Sequence, residues 1–276
     1  MSVRYAVLAY GSQNSIHRQA SMLVLSLLAH APQPREIVVI TDRPDRYAWF
    51  ADVLRIRVLV PGELQSWRGE HQFSMRQKIV AARQVMPPDG ALALLDADTL
   101  GIANLQPVVE ALAAGSLFMH KREFELGISR RAGNRKLWAQ LEGKTFDRWQ
   151  FRAGDAMWNS GVLALPAASA GLLDDALALF DTMATAGIRH FATEQLVVGL
   201  VFSRTGRLRS AEQWFTHYWG NKQNFDAEIA RRLDAAHRRQ LTPAAAADAL
   251  RASPIDLPSE SRPGRVEKLR RWFRGR

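Results

Sequence analysis

Two aspartates one residue apart, Asp96 and Asp98, are the residues of this chain whose type and spacing most clearly indicate chemistry. They follow Ala91–Leu95, an uncharged apolar run typical of a fully buried strand in a parallel sheet. Ligands of open α/β sheets bind at the carboxyl ends of such strands, so both acids are expected to face a cleft. Their carboxylates can converge on one ion if the backbone bends out of the sheet, and Thr99–Gly101 permits that bend.

Carboxylate oxygens in this arrangement suit Mg²⁺ or Mn²⁺, ions that proteins usually share with the phosphates of a nucleotide. The same Asp-x-Asp tripeptide also occurs in solvated loops and at the first turns of helices. The strand that precedes Asp96 favours the metal-binding interpretation, and the loop interpretation stays open at this point.

The elements that must position these acids alternate between strand and helix. Strands are predicted at residues 4–10, 36–41, 53–60 and 91–95, with helices beginning near Asn14, Pro44 and Ser74. Farther along, the pattern predicts strands at residues 117–120 and 159–166 and helices at residues 172–183 and 193–202. Repeated βα units predict a Rossmann-like α/β fold, with a mixed, mostly parallel sheet and helices on both faces.

Residues 121–155, between the predicted strands at 117–120 and 159–166, are polar, aromatic and without clear periodicity. An irregular segment of that length is more often a functional lid or binding insert than part of the core. The sequence therefore predicts a loop-like insert between the strand that ends near residue 120 and the strand that begins near residue 159.

The chain changes character after residue 225, and we predict a domain boundary there, with a catalytic domain at 1–225 and a helical extension at 226–276. Helices are predicted at residues 227–241 and after Thr242, which is followed by proline at the first helical position. Residues 253–264 have the composition of a linker. The basic segment that follows is either a solvated tail or an interfacial helix at an anionic membrane surface.

Charge is distributed unevenly along the chain. The net charge is +10, and residues 262–276 hold six arginines and one lysine against one glutamate, a net +6. The remainder is close to neutral for its size, at about +4. A nearly neutral body with a basic tail argues against a nucleic-acid binder, so no nucleic acid is expected as a partner. The tail instead predicts peripheral contact with an anionic membrane.

Composition excludes several kinds of site. The chain contains no cysteine, which excludes disulfides and thiolate zinc sites. No apolar stretch reaches the roughly 18 residues that span a bilayer. Residues 22–29 imitate a signal-peptide core, but they fit better as part of the first predicted helix. We therefore expect a cytoplasmic protein, peripheral to the inner face of the membrane.

Two common phosphate-binding motifs are missing from the sequence. The first predicted strand is followed by Tyr10 and Gly11, without the G-x-G-x-x-G of dinucleotide-binding proteins. No G-x-x-x-x-G-K-[ST] occurs either, which argues against a P-loop kinase or ATPase. Phosphates would then be held by a metal ion and by individual cationic side chains.

Four stretches in order carry a resemblance to a known family. They are SMRQK at 74–78, ALALLDADTLGIANLQP at 91–107, MWNSGVLAL at 157–165 and FTHYWGNK at 215–222. They resemble, respectively, the Y-x-R-x-K, D-x-D, F-N-x-G-V-L-L and H-Y-x-G-x-x-K elements of the metal-dependent GT-A glycosyltransferases. The similarity is to the glycogenin-like and lipopolysaccharide galactosyltransferase family, and it spans about residues 3–225.

The resemblance implies a metal site formed by Asp96, Asp98 and His217, with Mn²⁺ (or Mg²⁺) as the ion. It implies that Asp96 also touches the ribose or the donor sugar. Arg76 would contact the donor diphosphate or the sugar. Lys222 would contact the diphosphate, although it follows Gly220 by two positions where the family has three.

For the remaining site residues, the resemblance implies that Tyr10 and Gly11 line the uracil and ribose pocket. Asn159 and Gln195 would orient sugar hydroxyls or the reacting face of the sugar. Glu194 and Gln195 would be the nearest groups for stabilising the opposite face, and the family has Asp-Gln where this chain has Glu194-Gln195.

The implied function is a metal-dependent hexosyltransferase that uses a UDP-sugar and a saccharide acceptor. The family retains anomeric configuration and acts in cell-surface glycan synthesis of the lipopolysaccharide or capsule type. Two alternatives stay open, a nucleotidyltransferase of related fold and a non-catalytic basic adaptor that binds nucleic acid or anionic membrane through residues 262–276. A nucleotidyltransferase predicts a glycine-rich basic loop after the first strand, which the sequence lacks.

Overall fold

The computed structural model describes residues 1–33 and 35–260. Its centre is a seven-stranded sheet with helices on both faces. The strands of this sheet and of two smaller two-stranded ribbons are, in chain order, β1 Val3–Leu8, β2 Arg35–Thr41, β3 Arg55–Val58, β4 Ala91–Leu95, β5 Thr99–Gly101, β6 Leu117–Glu125, β7 Thr145–Phe146, β8 Trp149–Gln150, β9 Ala156–Pro166, β10 Leu208–Ser210 and β11 Phe215–His217. The α-helices are α1 Asn14–His30, α2 Glu63–Ser66, α3 Arg76–Gln84, α4 Gln106–Ala113, α5 Ala132–Leu141, α6 Gly171–Thr185, α7 Thr193–Ser203, α8 Lys222–Arg238 and α9 Pro243–Ala252. Pro44–Phe50 and Ala167–Ser169 form short 3₁₀ helices.

The central sheet is mixed and mostly parallel, as predicted. Its strand order is β10-β6-β9-β4-β1-β2-β3. β9 runs antiparallel to both of its neighbours, whereas the other neighbouring strands are parallel. Parallel neighbours need a crossover connection, and α1 provides the one between β1 and β2. The carboxyl ends of β1, β2 and β4 therefore share one edge of the sheet, where ligands of such folds bind.

Two apolar cores lie on opposite faces of the sheet because side chains alternate along each strand. On β4, Ala93 and Leu95 belong to one core, and Leu92 and Leu94 belong to the other. The first core takes apolar side chains from α1, α4, α8 and α9, and the second takes them from α3, α5, α6 and α7. Every residue of β4 is at most 2% exposed, so the predicted fully buried strand is confirmed.

Two helices, α8 and α9, follow the last strand and pack against α1. Ile229 of α8 and Leu250 of α9 are buried in the same core as Leu23 of α1. Thr242 caps α9, since its hydroxyl accepts a hydrogen bond from the Ala245 N–H at 3.2 Å. The predicted C-terminal helices are therefore present, while the domain boundary at residue 225 stays a prediction.

The segment after α9 is more ordered than its linker composition predicted. The Asn221 side-chain amide donates to the Pro258 carbonyl at 2.7 Å, and Gly220 forms an isolated parallel bridge with Glu260. Residues 253–260 thus pack back against the start of α8. Residues 261–264 and the predicted basic helix beyond them lie outside the described residues.

The prediction of a loop-like insert at 121–155 is wrong in part. β6 extends past His120 to Glu125, and α5, β7 and β8 follow within the segment. The pairing of β6 with β9 contains two register shifts between Met119 and Phe124. Such bulges interrupt the two-residue alternation by which a strand is identified in a sequence.

Within residues 1–33 and 35–260, no helix combines the length and the apolar character needed to cross a bilayer.

Candidate metal centre

The backbone turns out of the central sheet directly after β4, and this turn places the two aspartates. The Asp96 N–H still donates to the Gly161 carbonyl of β9 at 3.0 Å. The Thr99 N–H then donates to the Asp96 carbonyl at 3.1 Å, which closes a turn over residues 96–99. The next strand, β5, belongs to a separate two-stranded ribbon. The expected bend out of the sheet is therefore present, but it lies at residues 96–99, and Thr99–Gly101 form β5.

A histidine from far along the chain reaches the aspartates through this ribbon of β5 and β11. The two strands are antiparallel, and their register sets His217 opposite Thr99. Beyond the ribbon, the Tyr218 N–H donates to the Asp98 carbonyl at 3.1 Å. Asp98 and His217 are 119 residues apart in sequence, so the ribbon is what brings their side chains together.

Gly161 leaves the space that the His217 ring occupies. A Cβ atom at position 161 would lie 2.3 Å from His217 Nδ1, far inside van der Waals contact. The glycine of the Asn-Ser-Gly stretch is therefore required by the packing of this imidazole.

Asp96, Asp98 and His217 each offer one ligand atom to a common centre. These atoms all lie within 4.8 Å of one another. His217 Nε2 is 3.3 Å from Asp98 Oδ1 and 3.8 Å from Asp96 Oδ2. The side chains of Asp98 and His217 are buried, whereas that of Asp96 is 34% exposed. The three residues could bind a metal ion that solvent and ligands reach from the Asp96 side, and we call them the metal cluster.

Asn159 fixes the orientation and the proton position of His217. The Nδ1–H of His217 donates to Asn159 Oδ1 at 2.8 Å, and the same oxygen accepts the Gly161 N–H at 2.9 Å. The amide nitrogen of Asn159 donates to Glu123 at 3.2 Å, which is consistent with this orientation of the amide. Nε2 is thereby aimed at the two carboxylates, and an ion bound there would replace the Nε2 proton that otherwise bonds Asp98. Two carboxylates and one imidazole nitrogen around one centre form a donor set that could hold a divalent ion.

Asn159→Ala is expected to weaken Mn²⁺ binding by about 10- to 100-fold, because the substitution releases the hydrogen bond that holds His217. Isothermal titration calorimetry with Mn²⁺ measures the change. Asn14→Ala provides a matched control, since Asn14 bonds Arg46 and makes no contact with the metal cluster. An equal affinity in Asn159→Ala and wild type would contradict the positioning role.

Two lysines neutralise the carboxylates from outside the metal cluster. Lys78 Nζ is 2.6 Å from Asp96 Oδ1, and Lys222 Nζ is 2.8 Å from Asp98 Oδ2. Burial by itself raises the pKa of Asp98. The hydrogen bond and charge of His217, together with Lys222, outweigh burial and hold that pKa well below its usual range. Asp98 is therefore ionised at neutral pH, as a metal ligand must be.

Lys78, and not Arg76, is the cation of α3 that contacts the metal cluster. The Arg76 guanidinium forms two hydrogen bonds with Asp181, at 2.8 and 2.9 Å, and a third with the Trp67 carbonyl at 3.1 Å. Residues two apart on a helix differ in direction by about 200°, so Arg76 and Lys78 point to different neighbours. Arg76 is therefore held by Asp181 and Trp67, and its predicted contact with the donor stays a prediction.

Glu194 lies behind Lys78 and faces the protein interior. Its Oε2 accepts the Ser160 hydroxyl at 2.8 Å, and Lys78 Nζ donates to the Ser160 carbonyl at 2.6 Å. Burial raises the pKa of Glu194, and the charge of Lys78 offsets part of that increase. Burial lowers the pKa of Lys78, but the carboxylates of Asp96 and Glu194 outweigh it and raise this pKa above its usual value. These groups form a buried charged network that supports Asp96.

A second imidazole, that of His120, packs edge-on against His217 with ring centroids 5.6 Å apart. Its Nε2–H donates to the Phe215 carbonyl at 3.1 Å. Burial, followed by the charge of His217, lowers the pKa of His120 to about 4, so the ring is neutral at pH 7. No motif marks this histidine. The sequence feature that could have identified it is its position at the end of a predicted strand, because ligands of such sheets bind at the carboxyl ends of the strands.

An open cleft of about 630 Å³ adjoins the metal cluster. His217 and Asn159 line it, and so does Gln195 at the start of α7. The structure thus places Gln195 in the same cleft as His217, and its predicted contact with the donor sugar stays a prediction. Glu194, its neighbour in sequence, is directed away from the cleft.

Tyr10 and Gly11 lie at the same edge of the sheet, at the ends of β1 and β2. Gly11 has a φ of +87°, and its N–H donates to Asp42 Oδ1 at 3.0 Å. His17 donates to the Gly11 carbonyl at 2.8 Å, and the Tyr10 hydroxyl donates to Gln77 at 3.2 Å. These hydrogen bonds fix the backbone conformation around Gly11. The role of Tyr10 and Gly11 in a nucleoside pocket stays a prediction.

Comparisons with known proteins do not assign the chain to a family. No protein-family model matches the sequence, and no curated protein matches it. The mostly parallel sheet and the Asp-Asp-His cluster are compatible with a GT-A-like fold. The geometry therefore establishes an α/β protein whose metal cluster, at the ligand-binding edge of the sheet, could hold a divalent ion.

Proposed function

We propose that the protein is a metal-dependent glycosyltransferase that moves a hexose from a UDP-sugar to a saccharide acceptor. The observation that carries this proposal is the convergence of Asp96, Asp98 and His217, whose ligand atoms lie within 4.8 Å of one another at the ligand-binding edge of the sheet. When bound there, Mn²⁺ or Mg²⁺ would neutralise charge on a departing nucleoside diphosphate. The order of the motifs around the cluster favours a nucleotide sugar as the phosphate compound.

Residues around the metal cluster supply further contacts for a diphosphate. The Lys222 side chain is 51% exposed, so its ammonium can pair with a phosphate oxygen while it stays near Asp98. Lys78 holds Asp96 from the buried side. Nothing lies within 4 Å of the position that a Cβ would take on Gly11, which gives a uracil or ribose free approach to the backbone. We propose that Tyr10 lines the same pocket.

In the proposed transfer, the bond between the anomeric carbon and the diphosphate oxygen breaks, and a bond to the acceptor oxygen forms. The diphosphate keeps the electron pair, and the proton of the acceptor hydroxyl passes to a phosphate oxygen. Gln195 lines the cleft and is proposed to face the reacting carbon, while Asn159 positions His217. Glu194 is enclosed behind Ser160, so we assign it no contact with the donor. Retention of anomeric configuration and a role in cell-surface glycan synthesis belong to the same proposal.

A panel of UDP-glucose, UDP-galactose, UDP-N-acetylglucosamine and GDP-mannose tests the proposal. At least one UDP-sugar is expected to raise the Tm and to be hydrolysed slowly to UDP and free sugar with Mn²⁺, and to do neither with EDTA. A panel in which no nucleotide sugar gives a metal-dependent response would contradict the proposal. Formation of a nucleotide sugar from UTP and a hexose 1-phosphate would instead favour the nucleotidyltransferase alternative.

A further inference from the structure

Two aromatic side chains stand exposed in the cleft beside the metal cluster. Phe191 is 79% exposed and Trp219 is 50% exposed, and both line this cleft. Within residues 1–33 and 35–260, the other exposed large hydrophobic side chains are valine, isoleucine and methionine. Large apolar surface that is concentrated in one cleft, instead of scattered singly, indicates a binding surface.

The backbone around Phe191 is held so that the ring faces outward. The His190 N–H donates to the Thr193 hydroxyl at 3.1 Å, and that hydroxyl donates to the His190 carbonyl at 2.7 Å. The Ala192 N–H donates to His190 Nδ1 at 3.2 Å, and both Ala192 and Thr193 are buried. The His190 ring lies against Phe191, with centroids 4.4 Å apart. The turn before α7 therefore presents Phe191 in a pre-arranged position.

Trp219 is presented in the same manner by a different part of the chain. Tyr218, the residue before it, is fully buried and stacks on Phe225 with centroids 4.1 Å apart. Gly220, the residue after it, forms the bridge with Glu260. Because both neighbours of Trp219 are anchored, its half-exposed indole is held at the lining of the cleft.

Charged side chains accompany the two rings in the same cleft. Glu260 lies 3.5 Å from Lys121, and Glu212 and Arg131 also line the cleft. A lipid chain or an apolar peptide would remove water from these groups without replacing its hydrogen bonds, which is unfavourable. Sugar hydroxyls both donate and accept hydrogen bonds, and the C–H bonds on one face of a pyranose are attracted to the negative face of an aromatic ring. The lining therefore suits a saccharide.

We propose that Phe191 and Trp219 bind the saccharide acceptor by stacking against the apolar faces of its pyranose rings. This inference rests on the proposed function and adds to it the place where the acceptor binds. Gln195 and His217 line the same cleft, so a sugar held on the aromatic rings presents its hydroxyls beside the metal cluster. The two aromatic residues are then specificity determinants for the acceptor, separate from the donor contacts of Lys222 and Asp96.

Tryptophan fluorescence and calorimetry test this site without requiring catalysis. Maltose, lactose, cellobiose and chitobiose are titrated into the full-length protein, with and without Mn²⁺ and UDP. At least one disaccharide is expected to change the emission saturably, and Trp219→Phe should lose most of that change while it keeps calorimetric binding. Trp219→Ala and Phe191→Ala should each weaken binding by about tenfold or more. Val58→Ala, at a site 51% exposed on the edge strand β3, is the control and should bind like wild type.

Several outcomes would overturn the acceptor site. In the first, the wild-type protein binds none of the disaccharides. In the second, the alanine variants bind as tightly as wild type. In the third, the alanine variants also lose the thermal shift that Mn²⁺ and UDP give the wild-type protein. The last outcome would place the two rings in the fold or the donor site. Saccharide binding through the two rings in a protein that responds to no UDP-sugar would support the aromatic site and contradict the proposed function, so the two failures are distinguishable.

Discussion

Asp98→Asn is expected to abolish the thermal stabilisation that Mn²⁺ gives the wild-type protein and to slow metal-dependent hydrolysis of the donor at least about 100-fold. Asparagine keeps the shape of the side chain but removes the negative charge that faces His217 Nε2 at 3.3 Å. It also leaves Lys222 without its anionic partner at 2.8 Å, and the remaining positive charge repels a cation. Tm measurements with Mn²⁺ and with EDTA, followed by donor hydrolysis at saturating UDP-sugar, measure both effects.

Asp155→Asn is the matched control for this variant. The Asp155 side chain is 11% exposed and pairs with Arg204 at 2.7 Å. Its substitution therefore also removes an aspartate–cation pair, but Asp155 is not a candidate metal ligand. Both variants are expected to lose stability in EDTA, and only Asp98→Asn should lose the response to Mn²⁺. A response of wild-type size in Asp98→Asn would contradict the metal site.

Lys78→Met is expected to lower the free energy of unfolding by about 3–5 kcal/mol, the usual effect of removing one partner from a buried ion pair. The Lys78 side chain is 15% exposed, and its ammonium compensates the carboxylates of Asp96 and Glu194. Methionine fills a similar volume but leaves both acids without a cation. Urea unfolding at pH 7 measures the loss.

A second substitution separates lost charge compensation from lost packing. Glu194→Gln, added to Lys78→Met, removes one uncompensated charge and keeps an acceptor for the Ser160 hydroxyl. The double variant should therefore recover part of the stability, with a coupling free energy of about 0.5–3 kcal/mol. Lys136→Met, at an exposed position, should stay within about 0.5 kcal/mol of wild type. A loss below about 1 kcal/mol in Lys78→Met would show that the buried network contributes little.

The local parts of the fold could be predicted from the residues alone. Ala91–Leu95 has five apolar residues in a row, which is typical of a strand buried on both faces, and the structure places β4 at the same residues. Thr242 and the proline after it likewise marked the start of α9. Each of these signals lies within a few positions of the element it describes, so no distant contact was needed to interpret it.

The long-range parts of the site were harder to predict. β11 has three residues, too few for a periodic pattern, so His217 was identified through the resemblance of its surrounding residues and not through any strand signal. The contact of Lys78 with Asp96 was hard to predict for a similar reason. Arg76 and Lys78 are both cations at the start of one helix, and only the packed orientation of α3 decides which one meets Asp96.

Glu194 shows a further limit of sequence reasoning. Its neighbour Gln195 lines the cleft, while Glu194 is enclosed with Ser160, because adjacent residues of a helix point about 100° apart. A sequence motif specifies residues only by their positions along the chain. Which side chain enters the site depends on the rotation of the helix against the sheet, and that rotation follows from the buried apolar residues of α7 as a set.

The β5–β11 ribbon also determines when, during folding, the metal ion can bind. In the unfolded chain, Asp98 and His217 sit at the ends of a loop of 119 residues, and closing such a loop carries an entropic cost before any ligand contact is made. An ion held by these residues would therefore bind after the distant strand has docked, and it would not nucleate the fold as zinc does in a zinc finger. By binding the native state alone, such an ion would stabilise that state through mass action. Manganese should then slow unfolding and leave the rate of refolding unchanged.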